Sequence, residues 1–201
     1  MFPVLEALEK SLIIVMSRDT NHWADDVEVL IDTETLQSRI HELGQQITKD
    51  YGGLEPPICL VGILKGSFLF MADLARAIER HVTCEFIAIS SYGDSTESSG
   101  IVQITRDLTE SIEDKDVLIV EDIVDTGLTM SYLLENFQTR RPRSVKICSL
   151  LVKPENAQRA VDVDYVGFTI PNKFVVGYGL DYHAGRYRNL PFVGVYRGQE
   201  I

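Results

Sequence analysis

Three carboxylates, Glu121, Asp122 and Asp125, stand just ahead of the small-residue turn Thr126-Gly127-Leu128-Thr129. Adjacent carboxylates can bind Mg²⁺-linked hydroxyls or hold a cation-bearing substrate, and a third can move a proton. Two hydroxyls and a glycine at the mouth of a helix offer donors and close backbone approach to an anion. Together these types describe chemistry on an anionic substrate, helped by a divalent cation. The flanking pattern says what must position them. Val117, Leu118, Ile119 and Val120 read as a strand buried on both faces. Met130, Leu133, Leu134 and Phe137 mark one side of a helix. The expectation is strand, acidic loop, helix N-terminus, whose free N–H groups and positive dipole end suit a phosphate.

The rest of the chain alternates strands with helices. Val27–Ile31 reads as an edge strand; Asp32 or Thr33 caps a helix with Leu36, Ile40, Leu43 and Ile47 on one face, ended by Gly52-Gly53. Ile58–Ile63 is a buried strand, followed by a helix carrying Phe68, Met71, Leu74, Ala75 and Ile78. Further strands are expected at Cys84–Ser90, Ile101–Thr105, Val145–Val152, Val163–Ile170, Val175–Val176 and Phe192–Tyr196, with a polar loop over Ser91–Gly100. Such alternation implies an α/β fold with a mostly parallel central sheet flanked by helices. In these sheets a ligand lies beyond the carboxyl ends of the strands, where the strand order reverses. Lys65-Gly66, Glu121-Asp122 and Lys153 all follow apolar strands, so they are expected to converge there.

Composition bounds the partners. The 201 residues carry 19 basic and 30 acidic side chains, a net charge of −11, with 45% hydrophobic and 24% charged residues. That is one globular domain whose bulk charge disfavours nucleic acid and anionic membranes. Arg140, Arg141 and Arg143 form the densest basic cluster and read as a solvated helix end. Cys59, Cys84 and Cys148 are odd in number and widely spaced, so they are read as three buried, reduced thiols of a cytoplasmic protein. No apolar run reaches the ~20 residues of a membrane span. Glu6 and Glu9 precede the apolar stretch Leu12–Met16, which does not fit a secretory leader. Residues 1–26 read as an extension of unknown role ahead of a single domain over 27–201.

The stretch VEDIVDTGLT resembles the phosphoribosyl pyrophosphate (PRPP) motif of the type I phosphoribosyltransferases, in its hypoxanthine-guanine branch. The resemblance spans about residues 27–197, with the motifs in the family's order, and has no counterpart for 1–26. It implies purine salvage: transfer of the phosphoribosyl group from PRPP to N9 of hypoxanthine or guanine, with Mg²⁺ and release of pyrophosphate. It also implies a small hood over the base, built from about 165–201 with the N-terminal strand, and a homodimer or homotetramer.

The same resemblance distributes roles. Glu121, Asp122, Ile123, Val124, Asp125, Thr126, Gly127, Leu128 and Thr129 bind PRPP: the first two by the ribose hydroxyls and Mg²⁺, the last residues around the 5′-phosphate. Asp125 is the general base near the purine N7. Lys65 and Gly66 bind pyrophosphate after a non-proline cis bond placed at Leu64–Lys65. Ser91 and Tyr92 reach the pyrophosphate side from a closing loop, and Arg188 grips it. Arg186 competes for that role, and Arg188 is preferred because Asn-Leu-Pro follows it. Lys153 donates to the purine O6, Lys173, Phe174 and Val175 cover the base, and Asp181 holds a second Mg²⁺. By pattern alone Lys153 is a solvated charge and Phe174 a core residue. Two other readings use the same fold: an RNA-binding regulator, which the acidic charge disfavours, and an enzyme for another base such as xanthine or a pyrimidine.

Overall fold

A computed structural model describes residues 24–53, 55–91 and 102–198, without the side chains of Ser91 and Val102. Tyr92 and the loop to Gly100 lie outside the described residues, as does the extension up to Trp23.

Among the described residues, nine strands and three α-helices follow one another in the expected order. The main sheet uses β2 (Ile58–Leu64), β3 (Val82–Ser91), β4 (Val102–Arg106), β5 (Asp116–Val124), β6 (Ser144–Val152) and β7 (Tyr165–Thr169). Its order is β4-β3-β2-β5-β6-β7, parallel except for the β3–β4 pair. Alternation along the central strands splits the core in two. Ile58, Leu60, Leu118 and Val120 pack with helices α1 (Thr33–Tyr51) and α2 (Phe68–Ala77) on one face. Cys59, Val61, Val117 and Ile119 pack with α3 (Leu128–Gln138) on the other. Near-continuous apolar strands are what a sheet covered on both faces requires. A second, three-stranded sheet, β1-β9-β8, joins β1 (Val27–Ile31), β8 (Val175–Val176) and β9 (Val193–Tyr196) antiparallel.

The helices follow their amphipathic spacing. Leu36, Ile40, Leu43 and Ile47 of α1 are all buried. Asp32 is the N-cap, accepting from the Thr35 N–H at 2.8 Å, and that bond lowers its pKa. In α3, Met130, Leu133 and Phe137 are buried.

Three expectations change. Glu121 and Asp122 are not in a loop: β5 runs on to Val124 because β6 keeps pairing with it through Ile123–Leu151 and Val124–Val152. The ladder skips the row at Asp122, and alternation slips there, since Ile123 packs on the α1/α2 side and Val124 on the α3 side. In a regular strand neighbouring side chains leave opposite faces; the slip at the strand end lets both acids face one pocket. The strand expected from Val163 starts at Tyr165, because the Asp164 carboxylate takes the Ile147 N–H at 2.8 Å, where a backbone carbonyl would sit. Cys84 is exposed, unlike buried Cys59 and Cys148. β4 covers only Ala88–Ser91, so the first half of β3 is a sheet edge and Cys84 lies in it.

Candidate active site

The strand order reverses between β2 and β5, and a cavity of about 460 Å³ opens at their carboxyl ends. Lys65 and Gly66 line it from the β2–α2 turn, Glu121, Asp122, Ile123, Asp125 and Thr129 from β5–α3, and Lys153 from the end of β6. Phe174, Val175, Asp181 and Arg188 close it from β8 and the segment after it. Residues far apart in sequence therefore meet at the ends of β2, β5 and β6, at the start of α3, and in the segment between β8 and β9.

The cis bond lies at Leu64–Lys65, where the resemblance places it. Gly66 has no room for a side chain: a Cβ there would stand 1.5 Å from the Asp122 Oδ2. The β2 turn and the β5 acid are thus in direct van der Waals contact.

A smaller cavity of about 80 Å³ adjoins, lined by Val124, Asp125, Thr126, Gly127 and Thr129 among others. It sits at the start of α3, whose N-cap Gly127 has φ +78° and makes no side-chain capping bond. A Cβ on Gly127 would meet the Arg159 carbonyl oxygen at 2.4 Å. The carbonyl of Thr126 accepts from the N–H groups of Gln158 and Arg159 at 2.9 and 3.0 Å, so the turn is held from behind. The only side-chain acceptor among the described residues at this helix start is the Thr126 hydroxyl, which takes the Leu128 N–H at a long 3.4 Å, so the rigidly backed turn keeps N–H groups suited to an anion.

Asp125 is held on both oxygens. Asn156, in the 3-10 turn Pro154–Asn156, donates to Oδ1 at 2.8 Å, and the Lys153 ammonium lies 3.7 Å from Oδ2. Lys153 is 7% exposed, so it is a buried cation and not the solvated charge that pattern alone suggests. Phe174 is 55% exposed, which removes the core-packing alternative. Arg188 donates to the Gly179 carbonyl at 2.5 Å and pairs with Asp181 at 2.7 Å. Arg186 lines a separate surface hollow with Gly185, Tyr187 and Asn189.

Leu128 and Lys173 line neither cavity. Tyr92 lies outside the described residues, and Ser91 ends β3 with its side chain undescribed. Sequence reasoning missed Ile89, Ser90 and Leu180 in the wall, and Asn156. The position of Ser90 at the end of a strand beside the switch point was a usable signal. Asn156 offered none, because its role depends on a turn that no periodicity marks.

The profile of the phosphoribosyl transferase domain matches residues 27–183. The chain belongs to the phosphoribosyl transferase family. Relatives of this phosphoribosyltransferase include the hypoxanthine-guanine phosphoribosyltransferase of Mycobacterium bovis, 47% identical over 195 residues, covering 94% of this chain and 96% of that protein. This match takes in more of the chain than the stretch from Val27 onward, so it reaches into the extension for which no counterpart was expected. The enzyme of that name from Bacillus subtilis is 50% identical over 171 residues, 85% of this chain and 93% of that one. A crystal structure of a hypoxanthine phosphoribosyltransferase from Staphylococcus aureus superposes with a TM-score of 0.83 at 47% identity, covering 89% of this chain and 96% of that one.

In this phosphoribosyltransferase the acid pair has the character of a cation site. The Glu121 Oε2 is buried and has no hydrogen-bond partner among the described residues. Burial, then the neighbouring Asp122 charge, pushes the Glu121 pKa well up. Burial likewise pushes Asp122 up to about 6. Both are hard oxygen donors whose burial outweighs the backbone N–H groups, and for Asp122 the Arg188 charge, that favour their ionised forms. Among the described residues no group of three or more His, Cys, Asp or Glu side chains could enclose a metal. That donor set fits Mg²⁺, which keeps waters and takes substrate oxygens to complete its shell.

Proposed function

We propose that the protein transfers the 5-phosphoribosyl group of PRPP to N9 of hypoxanthine and guanine, in purine salvage, with Mg²⁺. The observation that carries the reading is a buried Lys153 set 3.7 Å from Asp125, in one cavity with Thr129 on one side and Lys65 and Arg188 on the other. A base, a phosphate and a pyrophosphate each find their complement in that cavity.

The 5′-phosphate sits at the uncapped start of α3, against Thr126–Thr129. Glu121 and Asp122 accept from the ribose hydroxyls. Phe174 stacks on the purine, and Lys153 donates to O6, so an amino group at that position would meet a donor with a donor. Lys65, the Gly66 backbone and Arg188 bind pyrophosphate. Glu121, Asp122 and Asp181 are the residues that would hold Mg²⁺, which when bound would supply positive charge to offset that of the departing pyrophosphate. The C1′–O bond to pyrophosphate breaks as the N9–C1′ bond forms, and Asp125 takes the purine proton. Its carboxylate, fixed by Asn156 and Lys153, also favours positive charge developing on the sugar. Resemblance supports a hood formed by the β1-β9-β8 sheet and a cytoplasmic homodimer or homotetramer.

The test is pyrophosphate release with PRPP, Mg²⁺ and each of hypoxanthine, guanine, xanthine, adenine and uracil. Release with hypoxanthine and guanine is expected. Release with xanthine alone moves the assignment to that base, and a folded protein inactive with all five bases overturns the salvage reading.

A further inference from the structure

Tyr178 stands outside the cavity, yet its backbone is in a conformation that bulky residues avoid. It has φ +48°, between Gly177 at +96° and Gly179 at +101°. Glycine takes that region freely; for a tyrosine it is strained. The side chain shows what holds it there. The ring is buried, and its hydroxyl donates to the Asp73 carboxylate on α2. Asp73 also accepts from Gln37 of α1 at 2.9 Å and pairs with Arg76. Neither interaction is with a substrate-binding residue.

The backbone around Tyr178 leads to the pyrophosphate side of the cavity. Its N–H donates to the Leu190 carbonyl at 2.9 Å, and the next N–H, of Gly179, donates to the Arg188 carbonyl at 2.9 Å. The Gly179 carbonyl in turn accepts from the Arg188 guanidinium at 2.5 Å. Gly179 is also pressed on the β2 turn: a Cβ there would stand 2.0 Å from the Gly66 carbonyl oxygen. One residue thus abuts the Lys65-Gly66 turn and fixes both ends of Arg188.

We infer that Tyr178 is a positioning residue for the pyrophosphate half of the site: its hydroxyl, anchored on Asp73, ties the Gly177–Gly179 turn to α2 and so sets Arg188 against the Lys65-Gly66 turn. This rests on the proposed reaction for its substrate, and on geometry alone for the tether. The purine half is held by further contacts, Asn156 on Asp125 and the pairing of β8 with β9, so the larger effect is expected on the pyrophosphate side.

Tyr178→Phe removes the hydroxyl and keeps the ring. Asp73 keeps Gln37 and Arg76, so no carboxylate is orphaned. Loss of one hydrogen bond to a charged acceptor is expected to raise the KM for PRPP about tenfold. The KM for hypoxanthine should stay unchanged. Binding of Mg²⁺-pyrophosphate, followed by calorimetry, should weaken by a similar factor, a readout that needs no turnover. Asp73→Ala, which removes the anchor from the other side, should reproduce the pattern, and the double variant should be no worse than either. A wild type inactive with every base would sink the salvage reading while leaving the calorimetric comparison to judge the tether. An unmoved pyrophosphate affinity, or equal rises in both KM values, overturns the tether.

Discussion

Strand β5 has carboxylates at both ends, and the two ends treat them in opposite ways. At its start, Asp116 accepts from Arg143 at 2.9 Å and from Ser144 at 2.7 Å. Nearby Asp107 is paired with Arg140 at 2.8 Å, which holds its pKa below the ordinary value. At its far end Glu121 has a buried oxygen with no hydrogen-bond partner among the described residues, and burial pushes Asp122 up to about 6. The same residue types in the same strand are satisfied where they only hold the fold together. They are disfavoured in their ionised form where they line the proposed substrate cavity. A helix shows the same division: α1 is capped by Asp32, whereas α3 starts on bare Gly127. Local departures from good folding chemistry mark the site because the missing partner arrives with the substrate.

The largest effect is expected where the far end of β5 touches its neighbour. Gly66→Ala puts a Cβ 1.5 Å from the Asp122 Oδ2, so the acid, the turn or both must move. A displacement of about 1 Å at a reacting centre costs roughly 100-fold in rate. Initial rates should fall by at least that much in a protein that still unfolds cooperatively. Near-normal rates would show that Asp122 needs no fixed place.

Next in size is an exchange between stability and activity. Glu121→Gln removes a buried carboxyl whose ionisation the fold disfavours, first through burial and then through the neighbouring Asp122 charge. The substrate-free protein should gain a few degrees in Tm at pH 8, while kcat/KM falls tenfold or more. Asp122 sets the pH window. Its raised pKa means that ionisation disfavours the folded state as pH rises from the ordinary 3.8 through about 6. Arg143→Met at the other end of β5 should do the reverse, lowering stability by about 1–2 kcal/mol with kcat/KM unchanged. If both substitutions shifted Tm in the same direction, the contrast between the two ends would be gone.

Particular residues show how much of this was open to sequence reading. The strands, the helices and the switch point follow from apolar runs and spacing, which are local and periodic. The strand-end positions of Lys65 and Lys153 followed from the apolar runs before them, but their roles, like those of Asp125 and Thr129, came with the family resemblance. The slip in β5 was not visible, because it depends on how β6 continues beside it. Cys84 was misjudged for a related reason: a strand's own residues do not tell how far its neighbour covers it. Asn156 and Tyr178 were silent because each acts through one distant partner, Asp125 or Asp73, and no spacing within either segment announces the other.

The smallest effect, and the one that tests the satisfied end alone, belongs to Asp107. Its carboxylate is partly exposed and its pKa is lowered, first by the hydrogen bond from Arg140. A lowered pKa means that the pair stabilises the fold at neutral pH, where the carboxylate is ionised in both states and is better placed in the folded one. That contribution begins to fade below the ordinary value of 3.8 and is lost as pH falls through the lowered one. Because water and salt screen an exposed pair, Asp107→Asn should cost less than about 1 kcal/mol at pH 7. Urea unfolding at pH 7 and again near pH 3 should show the gap between wild type and variant closing on acidification. A gap that widened instead would mean that the Arg140 pair does not stabilise this end of the sheet.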